Sequence, residues 1–145
     1  MVRFMEKRVL PNKVLLEEVA ALVAQGKDVI FTPKGNSMLP FIRGDRDSVR
    51  LSVCGEPEEG DIILARHDGH YILHRVIAVD EKTLLLMGDG NLQGTERVLR
   101  NDILGKVTAI VRPNGRTVIP GKGRLWRILK PLRRYILGIY RRIAL

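Results

Sequence analysis

Between Ser48 and Ile119 the chain alternates short apolar runs with shorter polar joints, and this rhythm limits its fold more than any other feature. The runs are Ser48–Val53, Asp61–Arg66, Tyr71–Val79, Thr83–Met87, Gly105–Arg112 and Arg116–Ile119. Each has the length and β-branched content of a strand, and none is long enough to favour a helix. The joints are 67–70, 80–82 and the pair Asn114-Gly115. In Asn114-Gly115 both positions tolerate positive φ, which predicts a tight hairpin. Regular strands joined in this way predict a mainly antiparallel β domain. With 145 residues the chain suits one such domain, and aromatics are only 5% of it, so its core must rest on Leu, Ile and Val.

Both flanks of this β region read as helical. Leu15, Leu16, Val19, Leu22 and Val23 recur at helical spacing over residues 13–25, with Asn12 as N-cap and Gly26 as stop. A short strand, Val29 to Thr32, follows. After Gly121, Leu125, Ile128, Leu129, Leu132, Ile136, Ile139 and Ile143 recur at steps of three and four, flanked by Trp126, Tyr135 and Tyr140. This predicts an amphipathic helix of about six turns. Pro131 should kink or split it. The division expected is a β domain over 1–121 and a basic amphipathic helix over 122–145.

Charge separates the same two parts. The chain carries +9. Eight of its twenty-five basic residues lie from Lys122 onward with no acidic residue among them, which leaves seventeen basic against sixteen acidic residues in the body. A nearly neutral body argues against a nucleic-acid-binding protein. The cationic helix suits either the surface of an anionic membrane or packing against the body or a second copy. No run spans a bilayer and the N-terminus lacks a signal-peptide pattern, so the expected place is the cytoplasm, with peripheral attachment to the inner membrane face through residues 122–145. With Cys54 the only cysteine, an internal disulfide and a cysteine-based metal site are excluded. Cys54 reads as a small packed residue, and no metal or cofactor is expected.

Chemistry concentrates in the turn-rich stretch 33–47, where Ser37 follows a strand. A serine hydroxyl needs a base to act as a nucleophile at neutral pH. His74 is the candidate base: strand alternation sets Ile72, His74 and Val76 on one face. Position alone also suits a satisfied core histidine. His67 and His70 fall in a turn.

Four motifs in order favour the base. Ser37-Met38-Leu39-Pro40 is followed by Gly44-Asp45, then by Gly60-Asp61 before an apolar strand, then by His74-Arg75-Val76-Ile77, then by Gly88-Asp89-Gly90-Asn91. This pattern, spread over residues 34–111, resembles the signal peptidase I and LexA-type serine peptidases. The base position holds lysine in some members and histidine in the endoplasmic-reticulum and archaeal type; His74 resembles the latter. The resemblance implies Ser37 as nucleophile, His74 as base, the Ser37 backbone N–H as oxyanion donor, and a small residue before the scissile bond of a peptide or protein substrate. It also implies an aspartate beyond the fourth motif to orient the base. Residues 92–97 hold none, so Asp89 and Glu96 are both candidates. Asn36 either adds an oxyanion donor or shapes the turn, and Met38 and Pro40 are expected to shape the substrate groove. The glycine–aspartate pairs at 44–45 and 60–61 read as structural.

The expected function is therefore a serine endopeptidase that cleaves a leader or signal segment through a Ser-His dyad. The alternatives are a non-catalytic peptide-binding module on the same scaffold and a self-cleaving LexA-type protein. Oligomeric state is not legible in the sequence.

Overall fold

The computed structural model describes residues 13–144, with the side chains of 14–143. Helix α1 (Lys13–Ala24) leads into β1 (Val29–Phe31), β2 (Ser48–Ser52), β3 (Ile62–His67), β4 (His70–Val79), β5 (Thr83–Met87), β6 (Glu96–Leu99), β7 (Ile103–Val111) and β8 (Thr117–Val118). Helices α2 (Arg124–Ile128) and α3 (Arg133–Ala144) close the chain. The strands form one antiparallel sheet in the order β1-β2-β7-β3-β4-β5-β6, with β8 paired to β7. The sheet curls into a half-barrel. Bulges at Arg50/Leu51, Leu64/Ala65 and Val76/Ala78 interrupt its register, and bulges bend strands and increase their twist.

Strand β3 lies deep in the sheet, and its composition explains why. Ile62 and Leu64 face the core beneath α1, with Val19, Val23, Phe31 and Val49. Ile63 and Ala65 face the opposite core, with Val76, Leu84, Leu86 and Val98. A strand buried on both faces must be apolar throughout, hence the run Ile62-Ile63-Leu64-Ala65. Each large side chain there contributes about 2 kcal/mol by leaving water.

The six strand assignments from the sequence fall within two residues of those observed, and Thr83–Met87 coincides. Gly26, at φ +84°, ends α1 as expected, whereas Asn12 lies outside the described residues. The β7–β8 hairpin forms at Asn114-Gly115 as predicted, but with positive φ at one of the two positions and not at both. Arg112 N–H donates to Arg116 O across a loop of Pro113, Asn114 and Gly115. Gly115 has positive φ; Asn114 does not, and its side chain accepts the Arg116 N–H. The C-terminal helix splits around Pro131 into α2 and α3, joined by a 3-10 turn over Lys130–Leu132. One strand, β6, was not expected. It is a four-residue edge strand with only Val98 buried, so its sequence lacks an apolar signature.

A buried carboxylate closes the turn that carries Ser37. Asp47 is fully buried and accepts the Arg43 backbone N–H at 2.7 Å, the Arg43 guanidinium at 3.0 and 3.2 Å and the Arg112 guanidinium at 2.7 Å. It thereby fastens residues 41–47 to the end of β7. Burial acts to raise the Asp47 carboxyl, but the bonds from Arg43 and the charge of Arg112 outweigh it and hold the group below its ordinary 3.8. A carboxyl lowered on folding adds stability above its unfolded value and loses it as pH falls through the folded value. Asp47→Asn should therefore lower stability at pH 7 by about 2–3 kcal/mol and flatten the fall in stability below about pH 4. Urea unfolding at pH 7 and at pH 3 checks both effects.

Candidate active site

Ser37 sits in the loop between β1 and β2, half-buried, on a turn in which Leu39 N–H donates to Asn36 O and both Phe41 and Ile42 N–H donate to Met38 O. The Leu39–Pro40 peptide is cis. The loop over residues 88–91 lies directly against this turn. Gly90 N–H donates to Ser37 O at 2.7 Å. A Cβ on Gly88 would stand 2.4 Å from Ser37 O, and one on Gly90 would stand 2.3 Å from Asn36 O. Both obstacles are backbone, so only glycine allows this approach. The fourth motif is thus the floor under the first.

Strand β4 supplies the next two groups on opposite faces. His74 shares its face with Val76, which pairs with Leu86, which pairs with Glu96. The unexpected strand β6 therefore sets Glu96 on the side of the sheet that His74 occupies, and His74 Nδ1 lies 2.6 Å from Glu96 Oε1. The His74 side chain is 10% exposed and that of Glu96 18%, so the pair is largely shielded from water. Ser37 and His74 line one cleft of about 280 Å³. Leu16, Phe31, Leu64, Tyr71 and Leu73 give that cleft apolar walls.

Arg75, one residue along, points to the other face and is fully buried. Its Nε and Nη2 donate to Asp89 Oδ1 and Oδ2 at 2.8 and 2.7 Å, and its Nη1 donates to Gly60 O at 2.9 Å and Gly121 O at 2.7 Å. The guanidinium also lies 5.2 Å from the centre of the Phe41 ring. Asp89 N–H points at Met38 Sδ at 3.4 Å, and Trp126 Nε1 donates to Asp89 O at 2.8 Å. The four sequence motifs meet around this one guanidinium.

The alternation of β4 gives each carboxylate its own partner, His74 for Glu96 and Arg75 for Asp89. Sequence reasoning left Asp89 and Glu96 both open, but Asp89 has both oxygens engaged by Arg75. Met38, expected at the groove wall, is instead buried in the main core at 4% exposure. It props the serine turn from below. Asn36 is exposed, and its main chain caps the turn. Pro40 is half-buried and borders a different depression, beside Arg43, Arg112 and Tyr140. Arg75 had no assigned role, although a charged residue inside the apolar run 71–79 signals a buried partner.

The glycine–aspartate pairs are structural, with one shift of position. A Cβ on Gly44 would overlap Gly35 O at 1.8 Å. Asp45, at φ +65°, is exposed, and the buried acid of that turn is Asp47. Asp61 is buried, accepts Glu58 N–H at 2.9 Å and pairs with Lys122 and Lys106. Cys54 is half-buried beside the second core, and burial, with the nearby charge of Asp61, pushes its thiol up. That disfavours the thiolate a nucleophile would need. His67 and His70 end β3 and begin β4, where they pair across the hairpin.

No curated protein sequence matches the chain. A family model described as Peptidase S24-like matches residues 6–108, a span that contains Ser37, His74, Asp89 and Glu96. On that match, and with the antiparallel β architecture around the serine turn, the chain belongs to the Peptidase S24-like family.

Proposed function

We propose that the protein is a serine endopeptidase of the histidine-base kind, with Ser37 as nucleophile, His74 as base and Glu96 as the carboxylate that orients His74. The observation that carries this reading is the 2.6 Å bond between His74 Nδ1 and Glu96 in a cleft that Ser37 also lines. An ionised Glu96 accepts a proton-bearing Nδ1, which leaves Nε2 of the neutral ring as the acceptor. In this scheme Ser37 Oγ attacks the scissile carbonyl carbon and its proton passes to His74 Nε2. The oxyanion takes the Ser37 backbone N–H. Collapse breaks the C–N bond, and the amine leaves with the proton from His74. Water, deprotonated by His74, then releases the acyl group and restores Ser37.

The substrate is an extended segment of a peptide or protein. Strand β1 has no neighbour on its outer side among the described residues. An extended chain can add to that edge beside the cleft. The apolar lining supports an apolar side chain on the substrate near the scissile bond.

The test is cleavage of a mixed peptide library read by mass spectrometry. Wild-type protein should release defined products, and Ser37→Ala and His74→Ala should each lower kcat/KM by about 10⁴. Undiminished cleavage by Ser37→Ala overturns the assignment. Intact-mass analysis of the same samples separates cleavage of added peptides from self-cleavage.

A further inference from the structure

The segment after Gly123 attaches to the body along one flank and leaves the other bare. Trp126, Arg133 and Leu137 are buried at 6%, 2% and 3% exposure. Ile136 and Tyr140 pack beside them with Leu39 and Phe41. Arg133 stacks 5.3 Å from the centre of the Trp126 ring and donates to Asn91 O at 3.3 Å. Most of the apolar stripe read from the sequence is not what faces the body. Leu125, Ile128, Leu132, Tyr135, Ile139 and Ile143 are all between 51% and 81% exposed. They follow one another at steps of three and four, so within each helix they fall on one side. Arg124, Lys130, Arg134, Arg141 and Arg142 are exposed among them, with no acidic residue from Lys122 onward.

Three occupants could cover such a face, and the charge pattern separates them. A second copy would bring one set of arginines against the same set, a like-charge contact that opposes pairing. Nucleic-acid phosphates would satisfy the arginines but leave the large apolar side chains in water. An anionic bilayer surface takes both groups at once, with apolar side chains at the acyl boundary and guanidinium groups among the headgroups. No described helix is long and apolar enough to cross a membrane, so contact would be with one leaflet. We propose that α2 and α3 bind the protein peripherally to an anionic lipid surface through Leu125, Ile128, Leu132, Tyr135, Ile139 and Ile143 and the basic residues beside them.

The test is co-sedimentation of the whole protein with vesicles of phosphatidylcholine alone and of phosphatidylcholine with about one-third phosphatidylglycerol. Binding to the anionic vesicles alone is the expected result. Arg141→Glu with Arg142→Glu should weaken it roughly thirtyfold or more. Ile139→Ser with Ile143→Ser should weaken it about tenfold. These four side chains are exposed, and unchanged thermal melting of both variants shows that any loss is not unfolding. Equal binding to neutral vesicles, no binding to either, or full binding by both variants overturns the proposal. So does a dimer, seen by analytical ultracentrifugation, that Ile139→Ser with Ile143→Ser dissolves, because a second copy would then be the occupant.

Discussion

Glu96→Gln is expected to lower kcat/KM for peptide cleavage by about 10³–10⁴ and to leave thermal stability nearly unchanged. The substitution keeps the shape of the side chain and removes its charge. A glutamine that presents its carbonyl to His74 Nδ1 keeps the tautomer but no longer stabilises the imidazolium formed when Ser37 gives up its proton. A glutamine that presents its amide forces the ring proton onto Nε2, where it blocks that transfer. Either outcome is costly because the pair is shielded, with side-chain exposures of 10% and 18%. The stability effect is small because Glu96 begins an edge strand and is only half-buried as a residue. Glu96→Asp keeps the charge one methylene short and should recover part of the lost activity. A Glu96→Gln protein as active as wild type would reduce the contact to an ordinary ion pair of little consequence.

Arg75→Met should lower stability by about 3–5 kcal/mol and the melting temperature by roughly 10–20 °C. The loss comes chiefly from what remains. Asp89 would stay in a site where its side chain is 2% exposed, without the charge-assisted bonds from Arg75 that hold it. The carbonyls of Gly60 and Gly121 would lose their donor as well. Arg75→Met combined with Asp89→Leu should be more stable than Arg75→Met alone, since the carboxylate that lost its two-pronged partner is then gone, while Arg133 gives up only the more distant charge of Asp89 and is relieved of that of Arg75. Thermal melting of the three proteins measures this. A single variant within about 1 kcal/mol of wild type would mean that packing, and not this ion pair, unites the four motifs.

The first variant acts on His74 and the second replaces Arg75, neighbours on β4, and that adjacency shows what the sequence could and could not convey. Alternation along residues 71–79 is enough to place His74 on a defined face. It equally requires Arg75 on the other face, but no partner for a buried guanidinium can be named without the path of the Gly88–Asn91 loop that follows β5. The choice between Asp89 and Glu96 depends on β6, whose four residues bury only Val98 and so look like loop. The C-terminal helix and its break at Pro131 are legible from spacing and from proline chemistry. Which flank faces the body is not, because a buried arginine at position 133 and Trp126 make that contact while most of the periodic leucines and isoleucines stay exposed. Met38 shows the same limit: its motif marks the site, but only packing reveals it as a prop beneath the serine.

The central claim is that His74, held by Glu96, makes Ser37 a nucleophile. Covalent labelling by a serine-reactive fluorophosphonate tests it without knowledge of the substrate. Wild-type protein should be labelled on the peptide that contains Ser37, Ser37→Ala should not be labelled there, and His74→Ala should be labelled at least about 10² more slowly. Labelling of His74→Ala at the wild-type rate, or of wild type at a serine other than Ser37, would contradict the account.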